Sequence, residues 1–268
     1  MRLSKIISYS RYSELAAYYR NKGCLCNDYL QNEAESLITD GKLYEFCSGK
    51  NAFLFQEKDG FYRVYYYLND LSAIEDFNSG DYNVEILFRN DLESIGKEIS
   101  YFEKSGFRKN TIRDQYSLVS GKASISNEIQ IRVRCAENIR EIEQACNIFN
   151  KSFDKLSGDY IPTEDYASLL QDGAILVAED NTGKFVGAVH QTINNGIAYL
   201  AHIAVVEDMR GKGIGGQMLD CFVSRNESAE IKRYILWVRR NNTAAVKMYQ
   251  KKGFKFVGKS SLSMIKTI

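Results

Sequence analysis

A glycine-rich stretch at residues 203–216 has the composition of an anion-binding turn. It leads from an apolar segment into an amphipathic one, and it contains Arg210 and Lys212. A helix that begins here presents unpaired backbone N–H groups and a partial positive charge. Glycine lets such a backbone approach an anion closely, and the two basic side chains add positive charge. The stretch therefore predicts a pyrophosphate cradle.

Two other glycine-rich motifs compete with this interpretation. The dinucleotide fingerprint GxGxxG is met by Gly211, Gly213 and Gly216, but it belongs to the first strand–helix turn of a parallel βαβ unit. Here the turn follows a predicted antiparallel meander, and the next predicted strand ends in two arginines instead of an acidic residue. A P-loop needs Gly-Lys-Ser or Gly-Lys-Thr, whereas a glycine follows Lys212. The GxGxxG match alone therefore does not exclude a dinucleotide-binding site, but its position in the chain disfavours such a site.

A second pattern follows the first and includes a tyrosine that could donate a proton. Its key positions are Leu236, Val238, Asn242, Ala245, Tyr249, Gly253 and Phe254. With Arg210, Gly213 and Gly215 in an R-x-x-G-x-G arrangement, the region from about Glu128 to Ile268 resembles the GNAT superfamily of acyl-CoA-dependent N-acyltransferases. The resemblance implies an enzyme that moves an acetyl group from acetyl-CoA to a primary amine, without a metal. Glu207 departs from the family, which often has proline there.

The resemblance implies a role for each matching residue. A strand backbone would hold the pantetheine arm, the turn amides would bind the pyrophosphate, and Asn242 would help to hold the cofactor. Tyr249 would protonate the departing thiolate, for which a positioned phenol is a reasonable acid; the alternative is a tyrosine that only packs. The expected cofactor-binding residues are Ile203, Ala204, Val205, Arg210, Gly211, Lys212, Gly213, Ile214, Gly215, Gly216, Asn242, Ala245 and Tyr249.

The base that would take the amine proton is not fixed by either motif, since the family uses a carboxylate, a histidine or ordered water. The two histidines, His190 and His202, flank a predicted hairpin turn at Asn195-Gly196. Closing that turn places His190 opposite Ala201. Neighbouring strand positions point to opposite faces, so the two rings are not expected to share a site unless a bulge shifts the register. Tyr199 is a third candidate, since alternation along the strand places it on the same face as Ala201 and Ile203.

The elements around these residues predict an α/β (α+β) fold with a mixed, mostly antiparallel sheet flanked by helices, and the resemblance implies that this is the acyl-CoA N-acyltransferase fold. Alternating apolar residues after residue 128 indicate a strand, and apolar spacings of three and four predict a helix from Ile139 to Phe153. Three strands then form a meander, and helices and strands alternate after it. The predicted elements are strands 174–179, 185–193, 197–206, 234–238, 254–257 and 262–265, and helices 217–223 and 243–252.

The first half repeats parts of this plan. Residues 102–107 parallel residues 249–254, an offset of 147 (249 minus 102), and residues 53–68 parallel a predicted hairpin at 175–190. This indicates two tandem copies. Residues 1–120 would be a degenerate GNAT-like or other α/β domain without a CoA site, 121–127 a linker and 128–268 the catalytic domain. Phe102 stands where Tyr249 would be, and residues 69–83 are too few for a strand, cradle and helix.

Two other functions remain open at this stage. One is a non-catalytic acyl-CoA-binding sensor or scaffold, and the other is an aminoacyl-tRNA-dependent transferase, a class that generally lacks an intact pyrophosphate cradle. The aromatic run at residues 61–67 fits an acceptor-binding or homodimer face, or an ordinary packed strand. Acidic and aromatic residues in the loop 150–170 suggest a cationic acceptor amine.

Composition narrows the class of partner. The 268 residues carry a formal net charge of +1 and no apolar run long enough to span a bilayer. We expect neither nucleic acid nor membrane as a partner, and no signal peptide, hence a soluble cytoplasmic protein. The six cysteines contain no CxxC pair, which predicts reduced thiols and no metal site.

Overall fold

The computed structural model describes residues 2–21, 23–123, 130–157, 159–227 and 230–268. These residues form thirteen strands and seven α-helices in two compact units. The first unit comprises Met1–Ile112, Leu156–Gly158 and Ser260–Ile268, and the second comprises Arg113–Lys155 and Asp159–Lys259. The sequence-based division keeps each half continuous, whereas each unit also contains a segment from the other half. Residues 124–129, which include most of the predicted linker and the first residues of the predicted strand after it, lie outside the described residues.

The first unit is a sheet in the order β1-β3-β4-β5-β6-β13, with the short strand β2 paired to β5. Of strand β13, only the portion Ser260–Lys266 belongs to this unit. The elements are β1 (Ser4–Lys5), α1 (Tyr9–Tyr19), β2 (Leu25–Cys26), α2 (Ala34–Thr39), β3 (Leu43–Ser48), β4 (Asn51–Lys58), β5 (Phe61–Leu68), β6 (Tyr82–Arg89), α3 (Gly96–Lys104) and the start of β7 (Arg108–Val119).

The aromatic run of β5 packs into the core of this unit. Tyr65, Tyr66 and Tyr67 are each at most 3 % exposed, and the ring of Tyr66 lies 5.1 Å from that of Phe102. Burial of such rings is a large favourable contribution to folding. These three tyrosines therefore serve packing and are not available as an exposed face.

The second unit is a sheet in the order β7-β12-β11-β10-β9-β8, with β7 contributing Arg113–Val119. Strands β11 and β12 are parallel, and the other described pairs are antiparallel. One face packs on α4 and α5, and the other on α6 and α7. The elements are β8 (Arg132–Cys135), α4 (Ile139–Ser152), α5 (Tyr166–Gln171), β9 (Ile175–Glu179), β10 (Phe185–Asn194), β11 (Ile197–Val205), α6 (Ile214–Arg225), β12 (Arg233–Arg239), α7 (Thr243–Lys251) and β13 (Lys255–Lys266).

The two units share one topology, which confirms the predicted tandem fold. In each, three antiparallel strands lead to a parallel pair, β5 with β6 and β11 with β12. Helices α3 and α7 follow at the predicted offset of 147 residues (243 minus 96). The hairpin β4–β5 corresponds to β10–β11. The sequence-based prediction matched residues 53–68 to residues 175–190, which is the hairpin β9–β10 and therefore one strand too early. The error arose because β3 was not recognised as a strand. Residues 69–81 contain no helix in the described chain, so the counterpart of α6 is absent.

Candidate active site

The glycine turn before α6 has the backbone that the cradle requires. Gly211 and Gly213 adopt φ of 77° and 79°, a region that residues with a side chain rarely occupy. An added Cβ would meet nothing within 4 Å at either glycine, so the backbone angle, not crowding, favours glycine. Gly213 is the N-cap of α6, and within the described residues no side chain caps this helix. The N–H groups of residues 211–213 likewise find no backbone acceptor in that part of the chain, so the turn presents free donors.

Side chains around the turn fix it against its neighbours. The Arg210 Nε donates a hydrogen bond to the Val205 carbonyl at 3.1 Å, which ties the turn to the end of β11. Behind α6, the Lys252 ammonium lies 2.6 Å from the Asp220 carboxylate, and that carboxylate is 2 % exposed. Arg210 and Lys212 themselves are exposed, so their charge faces solvent beside the free N–H groups.

The parallel strands β11 and β12 separate on the side of the turn. They pair from Ile197 with Arg233 to Leu200 with Leu236, and the described residues show no pairing beyond that point. Residues 203–205 continue to pair with β10. Backbone groups alternate sides along a strand, so the other edge of Ile203, Ala204 and Val205 is open to an extended ligand, as in strand addition, apart from the Val205 carbonyl that already accepts from Arg210.

Two motif residues of α7, Ala245 and Tyr249, pack in the same apolar core as Ile203 and Val205. Tyr249 is 5 % exposed and packs 5.9 Å from the Phe254 ring. Burial raises the pKa of its phenol, and no hydrogen bond from that hydroxyl occurs among the described residues. Asn242 is the N-cap of α7 and accepts a hydrogen bond from the Ala245 N–H at 3.2 Å. Its side-chain oxygen therefore shapes the helix, and its amide nitrogen is the group left for a ligand.

The two histidines share a site, contrary to the sequence-based prediction. The turn closes as expected, with Asn194 opposite Ile197, and the register holds to Gln191 opposite Leu200. A bulge then leaves Ala201 unpaired and sets His190 directly opposite His202. The two Nδ1 atoms are 3.0 Å apart. The bulge was named as the exception to the prediction, and it is what the structure contains.

The bulge also moves Tyr199 away from Ile203. Ala198, Leu200 and Ile203 all pack on the core that includes α6. Tyr199 lies between the first two on the strand, so it faces the opposite side. The prediction that Tyr199 and Ile203 share a face is wrong for this reason.

Aromatic rings and a buried environment surround the histidine pair. The ring of His202 stacks on Phe149, with centroids 5.3 Å apart, and meets Phe153 edge-on at 4.9 Å. Burial lowers the pKa of His190 to about 4. Burial and then the neighbouring His190 lower the pKa of His202 to about 3. Both imidazoles are therefore neutral at neutral pH.

The acidic loop between α4 and α5 is less negative than its sequence suggests. The Asp159 carboxylate makes an ion pair with the Arg113 guanidinium on β7, and Tyr166 is buried in the core beneath α4. The ammonium of Lys155 lies 4.9 Å from the centre of the Tyr160 ring. A cationic acceptor amine remains a prediction. One of the acidic residues that suggested it, Asp159, is already neutralised by Arg113.

The first unit closes its own strand opening in a way that sequence reasoning missed. Strand β2 pairs with the end of β5, Cys26 opposite Tyr67. The Asn27 amide donates to the Glu85 carbonyl of β6 at 2.8 Å and, through its oxygen, accepts from the Tyr66 N–H of β5 at 2.7 Å. Asn27 is 6 % exposed. The only sequence signal was one polar residue after a very short apolar pair.

No cluster of three or more His, Cys, Asp and Glu side chains in the described residue ranges is arranged to hold a metal ion. Across the same ranges, every helix is too short or too polar to cross a membrane.

Comparisons with known proteins agree with this geometry. Residues 137–254 match the acetyltransferase (GNAT) family, whose members transfer acyl groups. No curated protein matches the chain in sequence. A GCN5-related N-acetyltransferase from Sphaerobacter thermophilus is 14% identical, covers 90% of this chain and 87% of its own, and has a TM-score of 0.60.

Two further solved structures share the fold along most of the chain. An acetyltransferase of the GNAT family from Colwellia psychrerythraea is 15% identical, with 100% of both chains covered and a TM-score of 0.56. A tandem GNAT protein from the clavulanic acid biosynthesis pathway is 11% identical, with 84% of this chain and 82% of that chain covered and a TM-score of 0.53. This chain therefore has the GNAT fold in two tandem copies, and its residues 137–254 match the GNAT family of acetyltransferases.

Proposed function

We propose that this protein is an N-acyltransferase that moves an acetyl group from acetyl-CoA to a primary amine, with its cofactor site wholly in the second unit. The observation that carries the proposal is the open strand edge at residues 203–205, followed directly by the glycine turn and the uncapped start of α6. Free N–H groups at a helix start suit a pyrophosphate, and an open strand edge suits the amides of a pantetheine arm. Arg210 and Lys212 add the charge that a phosphate needs.

In this proposal acetyl-CoA supplies the acyl thioester, and Tyr249 gives a proton to the leaving sulfur. Burial raises the pKa of Tyr249, so the phenol carries its proton at neutral pH, as an acid must. The same shift makes the phenol a weak acid, so transfer depends on a sulfur within hydrogen-bond distance. The hydroxyl has no competing partner in the described chain. The free state of all six cysteines fits a reducing compartment such as the cytoplasm.

Calorimetric titration with acetyl-CoA and with CoA tests the cofactor site. We expect the wild type to bind both ligands and Arg210→Ala to bind them about tenfold or more weakly, because a charged hydrogen-bond donor contributes roughly 1.5–3 kcal/mol. Arg140→Ala, an exposed arginine on α4, is the matched control and should bind as the wild type does. If the wild type binds neither ligand, the turn is only structural and the acyltransferase proposal is given up.

An acceptor screen tests the reaction itself. Release of free thiol from acetyl-CoA is followed with a panel of small amines that are neutral, cationic or anionic beyond the reacting nitrogen, and products are identified by mass. We expect transfer, with cationic amines preferred. Turnover of only neutral or anionic amines would exclude the cationic preference, whereas cofactor binding without transfer to any amine would favour a sensor.

A further inference from the structure

The two imidazoles of the second unit form one hydrogen-bonded pair. Their Nδ1 atoms are 3.0 Å apart, and their rings are within 12° of parallel. Two nitrogens at this distance share a single hydrogen, since two bare lone pairs or two N–H groups facing each other would repel. One ring of the pair therefore donates through Nδ1 and the other accepts.

The backbone of Asp159 distinguishes the two rings. It interacts with the ring of His202 so as to favour a hydrogen there and raise its pKa, against the larger opposing effect of burial. Because Nδ1 of His202 faces His190, the nitrogen of His202 that can carry this hydrogen is Nε2. A neutral imidazole carries one N–H, so Nδ1 of His202 is the acceptor and Nδ1 of His190 carries the shared hydrogen. Nε2 of His190 is then left with a lone pair.

That lone pair is accessible. No hydrogen-bond partner for His190 Nε2 occurs among the residues that the structure describes. The His190 side chain is only partly buried, so Nε2 can be reached from solvent. The pair is a proton acceptor with one defined entry atom.

We propose that His190 accepts the proton of the acceptor amine at Nε2 and that His202 is a positioning residue which holds His190 in this tautomer. The inference rests on the proposed function. The amine nitrogen forms a bond to the acyl carbon and its proton passes to Nε2 of His190. The carbon–sulfur bond breaks with its electron pair on sulfur, and sulfur takes the Tyr249 proton. Water returns the proton from His190 to Tyr249, which restores both groups.

The surroundings of the pair suit this role. Once Nε2 is protonated, the Nδ1–H of His190 becomes a cationic donor to His202, and such charge-assisted bonds are about twice as strong as neutral ones. The Arg113 guanidinium is paired with Asp159 and lowers the pKa of His202 further. Three uncharged residues, Phe149, Phe153 and Ile175, also lie against the pair. Burial keeps both rings neutral above acidic pH.

Nitrogen-15 spectroscopy tests the tautomers without any acyl transfer. The chain contains two histidines, so a long-range proton–nitrogen correlation spectrum at pH 7 shows two imidazoles, assigned through His190→Gln and His202→Gln. We expect His190 with hydrogen on Nδ1 and His202 with hydrogen on Nε2. A hydrogen on Nε2 of His190 overturns the proposal.

Kinetics test the base itself, with the fastest amine from the acceptor screen. We expect His190→Gln to lower kcat about 100-fold, the lower end of general-base contributions, with the Kd for acetyl-CoA unchanged. His202→Gln retains an acceptor oxygen for His190 and should keep most activity, whereas His202→Phe cannot accept and should lose about tenfold. If His190→Gln keeps the full kcat, the proposal for His190 is overturned, while the proposed acyltransferase function stands. A wild type that acylates no amine overturns the proposed function as well, and acetyl-CoA titration then shows whether the cofactor site survives.

Discussion

Substitution of Tyr249 can distinguish a chemical role from a packing role, because its hydroxyl has no hydrogen-bond partner in the described chain. We expect Tyr249→Phe to lower kcat about 100-fold, the scale of a lost general acid, while acetyl-CoA affinity and the free energy of unfolding stay within about 0.5 kcal/mol of wild type. Steady-state kinetics, calorimetric titration and urea unfolding measure the three quantities.

The control for this substitution is a tyrosine of the same core. The Tyr234 hydroxyl donates to the Val223 carbonyl at 3.1 Å, so Tyr234→Phe should lose about 1 kcal/mol of stability and retain kcat. Equal activity in Tyr249→Phe and wild type would make Tyr249 a packing residue.

The buried histidines make stability depend on pH. Burial depresses both pKa values, to about 4 and about 3, below the unfolded value of about 6.5. Between these values the unfolded chain binds more protons than the native one, so stability falls as pH falls. From pH 7 to 5 each imidazole should remove about 2 kcal/mol from the free energy of unfolding. Urea unfolding of wild type and a His190→Gln, His202→Gln variant at both pH values tests this; equal pH dependence would contradict it.

At the scale of elements, the β10–β11 hairpin shows how far local sequence determines structure. Asn195 and Gly196 both adopt positive φ, which these two residue types tolerate, so the turn and its first pairs could be predicted. The register beyond Leu200 could not, because the bulge at Ala201 has no composition signal of its own. The motif residues from Arg210 to Tyr249 were predictable because their spacing is local. The histidine pair was not, since it depends on one extra residue across two strands.

The glycine turn allows a test that separates backbone strain from ligand contact. Gly213→Ala forces a side chain into φ of 79° with no steric contact, so it should cost about 1–2 kcal/mol of stability and weaken acetyl-CoA binding. Gly121→Ala is the matched control, since Gly121 has φ of 74° and an equally open surrounding. Urea unfolding should show similar losses, and titration should show an effect at Gly213 alone. Equal acetyl-CoA affinity in both variants would exclude the turn from the cofactor site.

Helix α6 is anchored by a buried ion pair as well as by apolar packing. The Asp220 carboxylate is 2 % exposed and the Lys252 side chain 14 %. Lys252→Met leaves the carboxylate buried without its cation, which should cost about 3–5 kcal/mol. Lys251→Met changes the exposed neighbour and should stay within about 0.5 kcal/mol of wild type. Urea unfolding of both variants measures the difference, and two equal values would mean that the pair contributes nothing.

At the scale of the whole molecule, the sequence predicted the duplication but not the path of the chain. The predicted boundary followed composition, whereas Arg113–Val119 belongs to the second unit and Ser260–Ile268 to the first. Strand segments that pair far along the chain carry no local mark of their partner, so pattern reasoning assigns them to the nearer half. The missing counterpart of α6 in the first half could be predicted from the short segment at residues 69–83, but the way the strand opening of that half is closed could not.

That closure predicts how many cofactors the whole chain binds. In the second unit the strand edge beyond Leu200 is open, whereas in the first unit β2 and Asn27 occupy the corresponding edge of β5. A ligand would have to displace buried hydrogen bonds of the chain itself, each of which costs about 1–3 kcal/mol when left unsatisfied. Calorimetric titration with acetyl-CoA should therefore give one site per chain.

Asn27→Ala distinguishes a closed opening from a latent site. Removing the amide takes away its bonds to Tyr66 and Glu85 and should lower the free energy of unfolding by about 2–4 kcal/mol, without a second binding event. Asn78→Ala, an exposed asparagine of the same unit, should leave both stability and stoichiometry unchanged. Two sites per wild-type chain would mean that the first unit binds cofactor despite lacking a cradle. A second site only in Asn27→Ala would mean that the first unit retains a site which Asn27 blocks, because the open edge would then suffice without the glycine turn.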